Sequence, residues 1–297
     1  MKPFIKPVLV VLATLTLTAC GMMNPKSLPY YHAGSPHHEG YDEQGIVESP
    51  YYPSNEKQVT QRRMVVYLPR DYYQSTRRYP VIYLLHGARG YETSWIVKGD
   101  VLHLYDSLRA CGKMEEAIVV MPNMNQYDND ADCDSSRLKN ALESLLEING
   151  EVEYHFVKDV VGYVDSHYRT LTDKAHRAIG GLSLGAMQSR FISAQYPDMF
   201  DYVGMFSITP MICPASSEHD SLYWHSECKT ALQFAQVPKL YLMTVGNADF
   251  QYGHVSRLHR SMRRKGYEHT FIVLPGGHDW PVWKESLIYF MEHCFRQ

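Results

Sequence analysis

The chain contains no C-x-x-C pair and no H-E-x-x-H run. Two common ligand spacings for zinc are therefore missing, and nothing in the sequence calls for a metal or another cofactor. A long apolar run is missing as well. The longest candidate, Val8 to Thr18, has eleven residues, against the roughly 20 that a helix needs to cross a bilayer. Charge of one sign is not in excess. Lys and Arg number 29 against 32 Asp and Glu, a formal net charge of −3, which leaves no basic footprint for nucleic acid. No internal repeat or coiled-coil pattern appears, which excludes solenoids and long helical arrays.

The short apolar run follows Lys2 and Lys6 and ends at Leu17-Thr18-Ala19-Cys20. A basic start, a short apolar stretch and small residues before a cysteine form a lipoprotein signal with a lipobox. The expectation is that residues 1–20 are a signal, that Cys20 carries lipid, and that the protein is exported and anchored to the cell envelope. Gly21 after the cysteine points to the outer membrane. An ordinary secretory signal or a short anchor helix, with an incidental cysteine, is the competing reading. Acyl chains at about 0.8 kcal/mol per buried methylene would hold the chain without a spanning helix. Residues 21–58, rich in Pro, Gly, Tyr, His and Ser, read as a tether that lays a strand or turn against one domain spanning 59–297. Besides Cys20 there are Cys111, Cys133, Cys213, Cys228 and Cys294. An odd count leaves at least one unpaired; Cys213 and Cys228 are placed to staple the loop between them.

Inside the domain, strand-like and helix-like segments alternate. Strands are expected at Tyr79–Leu85, His176–Gly180, Tyr202–Ser207, Lys239–Val245 and His269–Leu274. Helices are expected at Leu138–Ile148, Val152–Tyr168, Gly253–Lys265 and Pro281–Phe295. Alternation of this kind implies a mostly parallel sheet covered on both faces.

The segment Gly181-Leu182-Ser183-Leu184-Gly185 is the one G-x-S-x-G. It follows the apolar HRAIG stretch and precedes Leu184, Met187, Phe191 and Ile192 at helical spacing. That context is a nucleophile elbow, a tight strand-to-helix turn that lifts a serine hydroxyl into a cleft. A serine hydroxyl needs a base to take its proton and a third group to orient that base. Asp249 follows the run PKLYLMTVG, and His278 follows HTFIVL through Pro275-Gly276-Gly277. Ser183, Asp249 and His278 thus each sit just past a strand's carboxyl end, where open α/β sheets bind their ligands.

Each member has rivals. Glu218, Asp220 and Glu227 compete for the acid, and Asp279 is adjacent to the histidine. Among the fifteen histidines, His254 and His259 lie on a helix, His37 and His38 in the polar extension, and His86 beside Gly87. The last reads as structural. An oxyanion needs backbone donors. The amide of Leu184 is one, and Ala88 in His86-Gly87-Ala88-Arg89-Gly90 is the second, with Arg89 as the alternative. Tyr127, in a polar insertion from Asn123 to Arg137, and Trp224, in a second from Thr209 to Lys229, are candidate substrate contacts, as is Trp280. Exposed aromatics beside a cleft suit sugars or aromatic acyl groups. Trp95 reads as core.

These residues resemble the esterase D / feruloyl esterase family of α/β-hydrolases. That grouping includes carbohydrate esterase family 1, S-formylglutathione hydrolases, enterochelin esterases and mycolyltransferases. The resemblance runs from about Arg62 to Phe295. It rests on Val65-Val66-Tyr67-Leu68-Pro69, Tyr79-Pro80-Val81-Ile82-Tyr83-Leu84-Leu85-His86-Gly87, Trp95, Val119-Val120-Met121-Pro122-Asn123, the elbow, Tyr196-Pro197-Asp198-Met199-Phe200 and Gly277-His278-Asp279-Trp280. It implies an α/β-hydrolase fold with Ser183 as nucleophile, His278 as base and Asp249 as acid. The family's elbow usually reads S-M-G-G; here Leu184 and Ala186 replace the methionine and the second glycine. The implied activity is hydrolysis of a carboxylic ester, removing feruloyl or acetyl groups from plant polysaccharides or oligosaccharides. An acyltransferase on the same machinery and a catalytically silent carbohydrate-binding lipoprotein are the alternatives.

Overall fold

A computed structural model describes residues 45–57, 59–125, 150–209 and 226–296. The lipobox Cys20, most of the tether, Tyr127, Cys133, the expected helix Leu138–Ile148, Trp224, the rivals Glu218 and Asp220, and the Cys213–Cys228 link all lie outside the described residues, as does the side chain of Glu227. Among the described residues Cys111 and Cys294 are free thiols, and no helix is long and apolar enough to cross a membrane.

Among the described residues nine strands build the sheet: β1 Ile46–Glu48, β2 Tyr51–Pro53, β3 Gln61–Leu68, β4 Val81–Leu85, β5 Ile118–Pro122, β6 Arg177–Leu182, β7 Tyr202–Phe206, β8 Leu240–Gly246 and β9 Thr270–Leu274. Their order is β1-β3-β5-β4-β6-β7-β8-β9, with β2 also on β3. From β5 to β9 every pairing is parallel, whereas β3 runs antiparallel to β1, β2 and β5. Ile46 faces Leu68 and Tyr52 faces Arg62 in one unbroken register. β1 and β2 are therefore one edge strand interrupted at Ser49 and Pro50. Prolines at Pro50 and Pro53 fit that edge, where a missing N–H costs no ladder bond.

The helices are α1 Ser94–Val97, α2 Val101–Ala110, α3 Glu151–Phe156, α4 Gly162–His167, α5 Leu184–Gln195, α6 Ser226–Ala235, α7 Tyr252–Arg264 and α8 Trp280–His293. They cover both faces of the sheet. On one side Tyr83, Ile179, Val203 and Met243 meet Phe156 and Val164, Met187 and Phe191 of α5, and Val255 and Met262 of α7. On the other, Ile82, Ala178, Phe206 and Leu242 meet Tyr105 of α2 and Leu287 and Phe290 of α8. Strands buried on both faces explain why they read as continuous apolar runs rather than alternating ones.

One expected helix differs in detail. Val152 to Tyr168 is helical, but Val157–Val161 between α3 and α4 is a π turn. Its apolar residues Val152, Phe156, Val160 and Val164 are spaced by four. That outruns a 3.6 period, and a wider turn keeps all four on one face. The same turn carries Asp159, whose Oδ2 accepts the Asn55 amide at 2.8 Å and so ties the edge extension to the domain.

Candidate active site

Ser183 ends β6 and opens α5 with φ 52° and ψ −111°. This backbone is held from several sides. The Ser183 amide donates to the Phe206 carbonyl of β7 at 2.8 Å. A Cβ on Gly185 would lie 2.4 Å from the His86 carbonyl oxygen, and one on Gly181 would lie 2.7 Å from the Gly185 backbone. Only glycine fits at either flank, so the G-x-S-x-G pattern is a packing requirement of the turn.

The loops after β8 and β9 are laced together. Asn247 donates through its amide to Leu274 O at 2.8 Å, Ala248 to Gly276 O at 2.8 Å, and Gly276 to Asn247 Oδ1 at 3.1 Å. This lacing brings Asp249 and His278 together. Both Asp249 oxygens stand 3.0 Å from His278 Nδ1, and Oδ1 also accepts the Gln251 amide at 2.7 Å. His278 Nε2 lies 2.9 Å from Ser183 Oγ. A carboxylate can only accept, so Nδ1 carries the proton and Nε2 is left to accept the serine proton. Asp249 is 5 % exposed, so the carboxylate is shielded from competing water.

The rivals within the described residues have other partners. Asp279 caps α8, its Oδ1 accepting the Val282 amide at 3.3 Å and its Oδ2 the Gly277 amide at 3.2 Å. His86 is buried. Its Nε2 accepts the Met124 amide at 2.9 Å, so Nδ1 carries the proton and donates to Gly87 O at 2.8 Å. Burial lowers its pKa to about 4, and the neutral ring acts as a strut under the loop 86–90. His259 faces His269 across 2.8 Å, on α7 and just before β9.

That strut bears on the expected oxyanion donors. A Cβ on Gly87 would lie 2.4 Å from Leu182 Cδ1 and 3.5 Å from Ser183 Cβ, so the loop lies directly against the elbow. Among the described residues the amides of Leu184, Ala88 and Arg89 donate to no protein acceptor. Trp280 is half-buried, set edge-to-face against Trp95 at 5.2 Å and Trp283 at 5.3 Å. Trp95 is core, its indole donating to Leu85 O at 3.0 Å.

Two residues escaped the sequence reading. Phe250 is 76 % exposed, yet its ring centre lies 4.4 Å from that of His278. Its only signal in the sequence is adjacency to Asp249. Ser207, with φ 54°, ends β7 and accepts the Trp283 indole proton at 3.1 Å; nothing in the sequence marks it.

A serine hydroxyl, an imidazole and a buried carboxylate in this chain of hydrogen bonds can transfer an acyl group from an ester. The family model described as "Putative esterase" matches residues 58–293. The chain belongs to this family. It is a serine carboxylesterase with an α/β-hydrolase fold. Over 146 residues it is 36 % identical to an endo-1,4-beta-xylanase/feruloyl esterase of Xylanibacter ruminicola, an alignment covering 48 % of this chain and 19 % of that protein. The chain thus matches about a fifth of that relative's length. A solved ferulic acid esterase superposes with a TM-score of 0.69 at 26 % identity, covering 85 % of this chain and 98 % of its own. A CE1 ferulic acid esterase from Anaeromyces mucronatus gives 0.68 at 23 % identity, covering 87 % and 93 %.

Proposed function

We propose that this esterase removes feruloyl or acetyl groups from plant polysaccharides through an acyl-enzyme on Ser183. The observation that carries the reading is the unbroken hydrogen-bond chain from Asp249 through His278 to Ser183. Ser183 Oγ bonds to the ester carbonyl carbon while its proton passes to His278 Nε2. Asp249 holds Nδ1–H and balances the imidazolium. The carbonyl oxygen, now an oxyanion, takes the amides of Leu184 and Ala88. His278 returns the proton to the departing alcohol. Water then gives a proton to His278, attacks the acyl-enzyme and releases the acid, and Ser183 recovers its proton. The similarity to feruloyl esterases supports the acyl group. The lipobox at Leu17–Cys20 supports a lipid-anchored enzyme at the cell envelope.

The test is hydrolysis of methyl ferulate, acetylated xylan and feruloylated arabinoxylan by the full chain. The variants Ser183→Ala, His278→Ala and Asp249→Asn are assayed beside it, with fluorophosphonate labelling. Expected losses in kcat are about a millionfold for the first two. For Asp249→Asn the expected loss is about ten-thousandfold. Near-wild-type turnover by Asp249→Asn would remove that residue from the role. Failure of the wild-type chain to label at Ser183 would leave a binding protein on the same fold.

A further inference from the structure

We propose that the outward face of α7 is a binding track for a uronate-bearing polysaccharide, the polymer from which the ester is cut. This rests on the polysaccharide-esterase reading above and names the charge of its substrate.

The chain as a whole is slightly acidic, yet α7 contains no Asp or Glu and carries Arg257, Arg260, Arg263 and Arg264, all exposed. At about 100° per residue, Arg257, Arg260 and Arg264 fall within about 60° of one another on the helix surface. Val255 and Met262 on the opposite side are buried in the core. Gly253 stands at the near end of this stripe. The space beside it is filled only by Arg257, whose Nη1 lies 3.5 Å from where a glycine Cβ would be. That guanidinium therefore reaches back along the helix toward the catalytic end.

The near end adjoins the site. Gly253 is four residues beyond Asp249, and between them Phe250 lies exposed against His278. From Gly253 to Arg264 the stripe runs about 16 Å. Five arginines elsewhere in the domain are tied to carboxylates: Arg62 to Glu56, Arg63 to Glu92, Arg77 and Arg109 to Glu116, and Arg177 to Asp165. Among the described residues none of the four α7 arginines has an ion-pair partner within 4.0 Å. A row of unpaired guanidinium groups matches carboxylates repeated along a polymer, because each planar fork can take one bidentately. An anionic lipid surface fits less well. Helices that lie in a membrane interface present Trp, Phe or Leu along their length, whereas here the exposed rings Phe250 and Tyr252 stand only at the near end and the rest of the stripe presents arginine.

The test uses the full chain and the triple variant R257Q/R260Q/R264Q. Glutamine has nearly the helix propensity of arginine, so α7 is retained. The substrates are a feruloylated xylan bearing glucuronate side groups, the same polymer after carboxyl reduction, and methyl ferulate. The triple variant should lose about tenfold in kcat/KM on the acidic polymer, the scale of three exposed ion pairs. It should match wild type on the reduced polymer and on methyl ferulate. The wild-type preference for the acidic polymer should vanish at about 0.5 M NaCl, where the screening length is only a few ångströms. Binding is read separately by affinity electrophoresis of Ser183→Ala in gels containing glucuronoxylan, with and without the arginine changes. Equal behaviour of wild type and triple variant on the acidic polymer overturns the track. So does arginine-dependent binding to anionic phospholipid vesicles without retardation by glucuronoxylan, which assigns the face to a membrane. If no polymer or ferulate is hydrolysed but retardation still depends on the arginines, the esterase substrate is wrong and the track stands.

Discussion

The rings of Trp283 and His278 meet edge to face, with 5.0 Å between ring centres and 89° between planes. The indole is itself fixed, since Nε1 donates to the buried Ser207 Oγ at 3.1 Å, and the Ser207 amide donates to Thr244 O at 2.8 Å. A positive ring edge against a π face is the favoured arrangement for such a pair. One side of His278 is thus set by a chain of contacts that ends in the sheet.

Trp283→Phe keeps an aromatic ring but removes the donor to Ser207. Losing one buried hydrogen bond costs about 1–3 kcal/mol. We expect kcat for methyl ferulate to fall about tenfold, as if about 1.4 kcal/mol were lost in orienting His278. Trp283 acts through His278, so the rate of fluorophosphonate labelling at Ser183 should fall with kcat while KM holds. A stability loss with unchanged labelling would make Trp283 a packing residue only.

The elbow should also show its strain in stability. Ser183 has φ 52° and ψ −111°, a region costly for any residue with a Cβ, by about 1–3 kcal/mol. Ser183→Ala keeps the Cβ and the cost. Ser183→Gly relieves it, offset by about 0.5–1 kcal/mol of extra chain entropy. Both variants are expected to be inactive, with the glycine variant unfolding at higher urea by roughly 1 kcal/mol of stability. An alanine variant more stable than the glycine one by about 0.5–1 kcal/mol, the entropy difference alone, would show that the turn is held without strain.

Much of this site was legible because each of its three residues closes a strand that announces itself. The runs HRAIG, PKLYLMTVG and HTFIVL correspond to β6, β8 and β9, and the residues just beyond them meet in space. The edge strand at residues 46–53 was not legible in detail. Two three-residue segments broken at Pro50 carry too few residues for a period, and their pairing is decided by β3. Asp279 shows a different limit. As a residue type it fits a catalytic acid, and only its bonds to Val282 and Gly277 show it working as a helix cap. Phe250 is invisible for a similar reason, because exposure of an aromatic ring depends on the fold around it.

Acid should weaken the fold through its histidines. Burial holds His86 at about 4 instead of 6.5, and burial together with His269 and nearby arginines holds His259 at about 4 as well. In both, the folded state binds protons less readily than the unfolded chain. Their stabilisation is complete above pH 6.5 and is lost as pH falls through about 4. For His86 the shift corresponds to ~3 kcal/mol. Urea midpoints should therefore decline steadily from pH 6.5 to 4. His86→Gln, which can still accept from Met124 and donate to Gly87, should show a shallower decline. Parallel declines would exclude His86 as a source of the acid sensitivity.

Phe250 offers the sharpest test of which acyl group the site prefers. Its ring is tilted 46° from that of His278 at 4.4 Å, and most of its surface faces solvent. An apolar ring left exposed beside the reacting imidazole gains nothing in the free enzyme and becomes favourable once an aromatic acyl group covers it. Phe250→Ala should therefore leave the urea midpoint unchanged while raising KM for methyl ferulate about five- to tenfold, the scale of one aromatic pair. Methyl acetate, with no ring to stack, should be hydrolysed with nearly unchanged kcat/KM. The two possible roles of the ring separate cleanly here. A platform for the acyl group discriminates between ferulate and acetate, whereas a wall that merely steadies His278 would, on removal, lower kcat for both esters by the same factor.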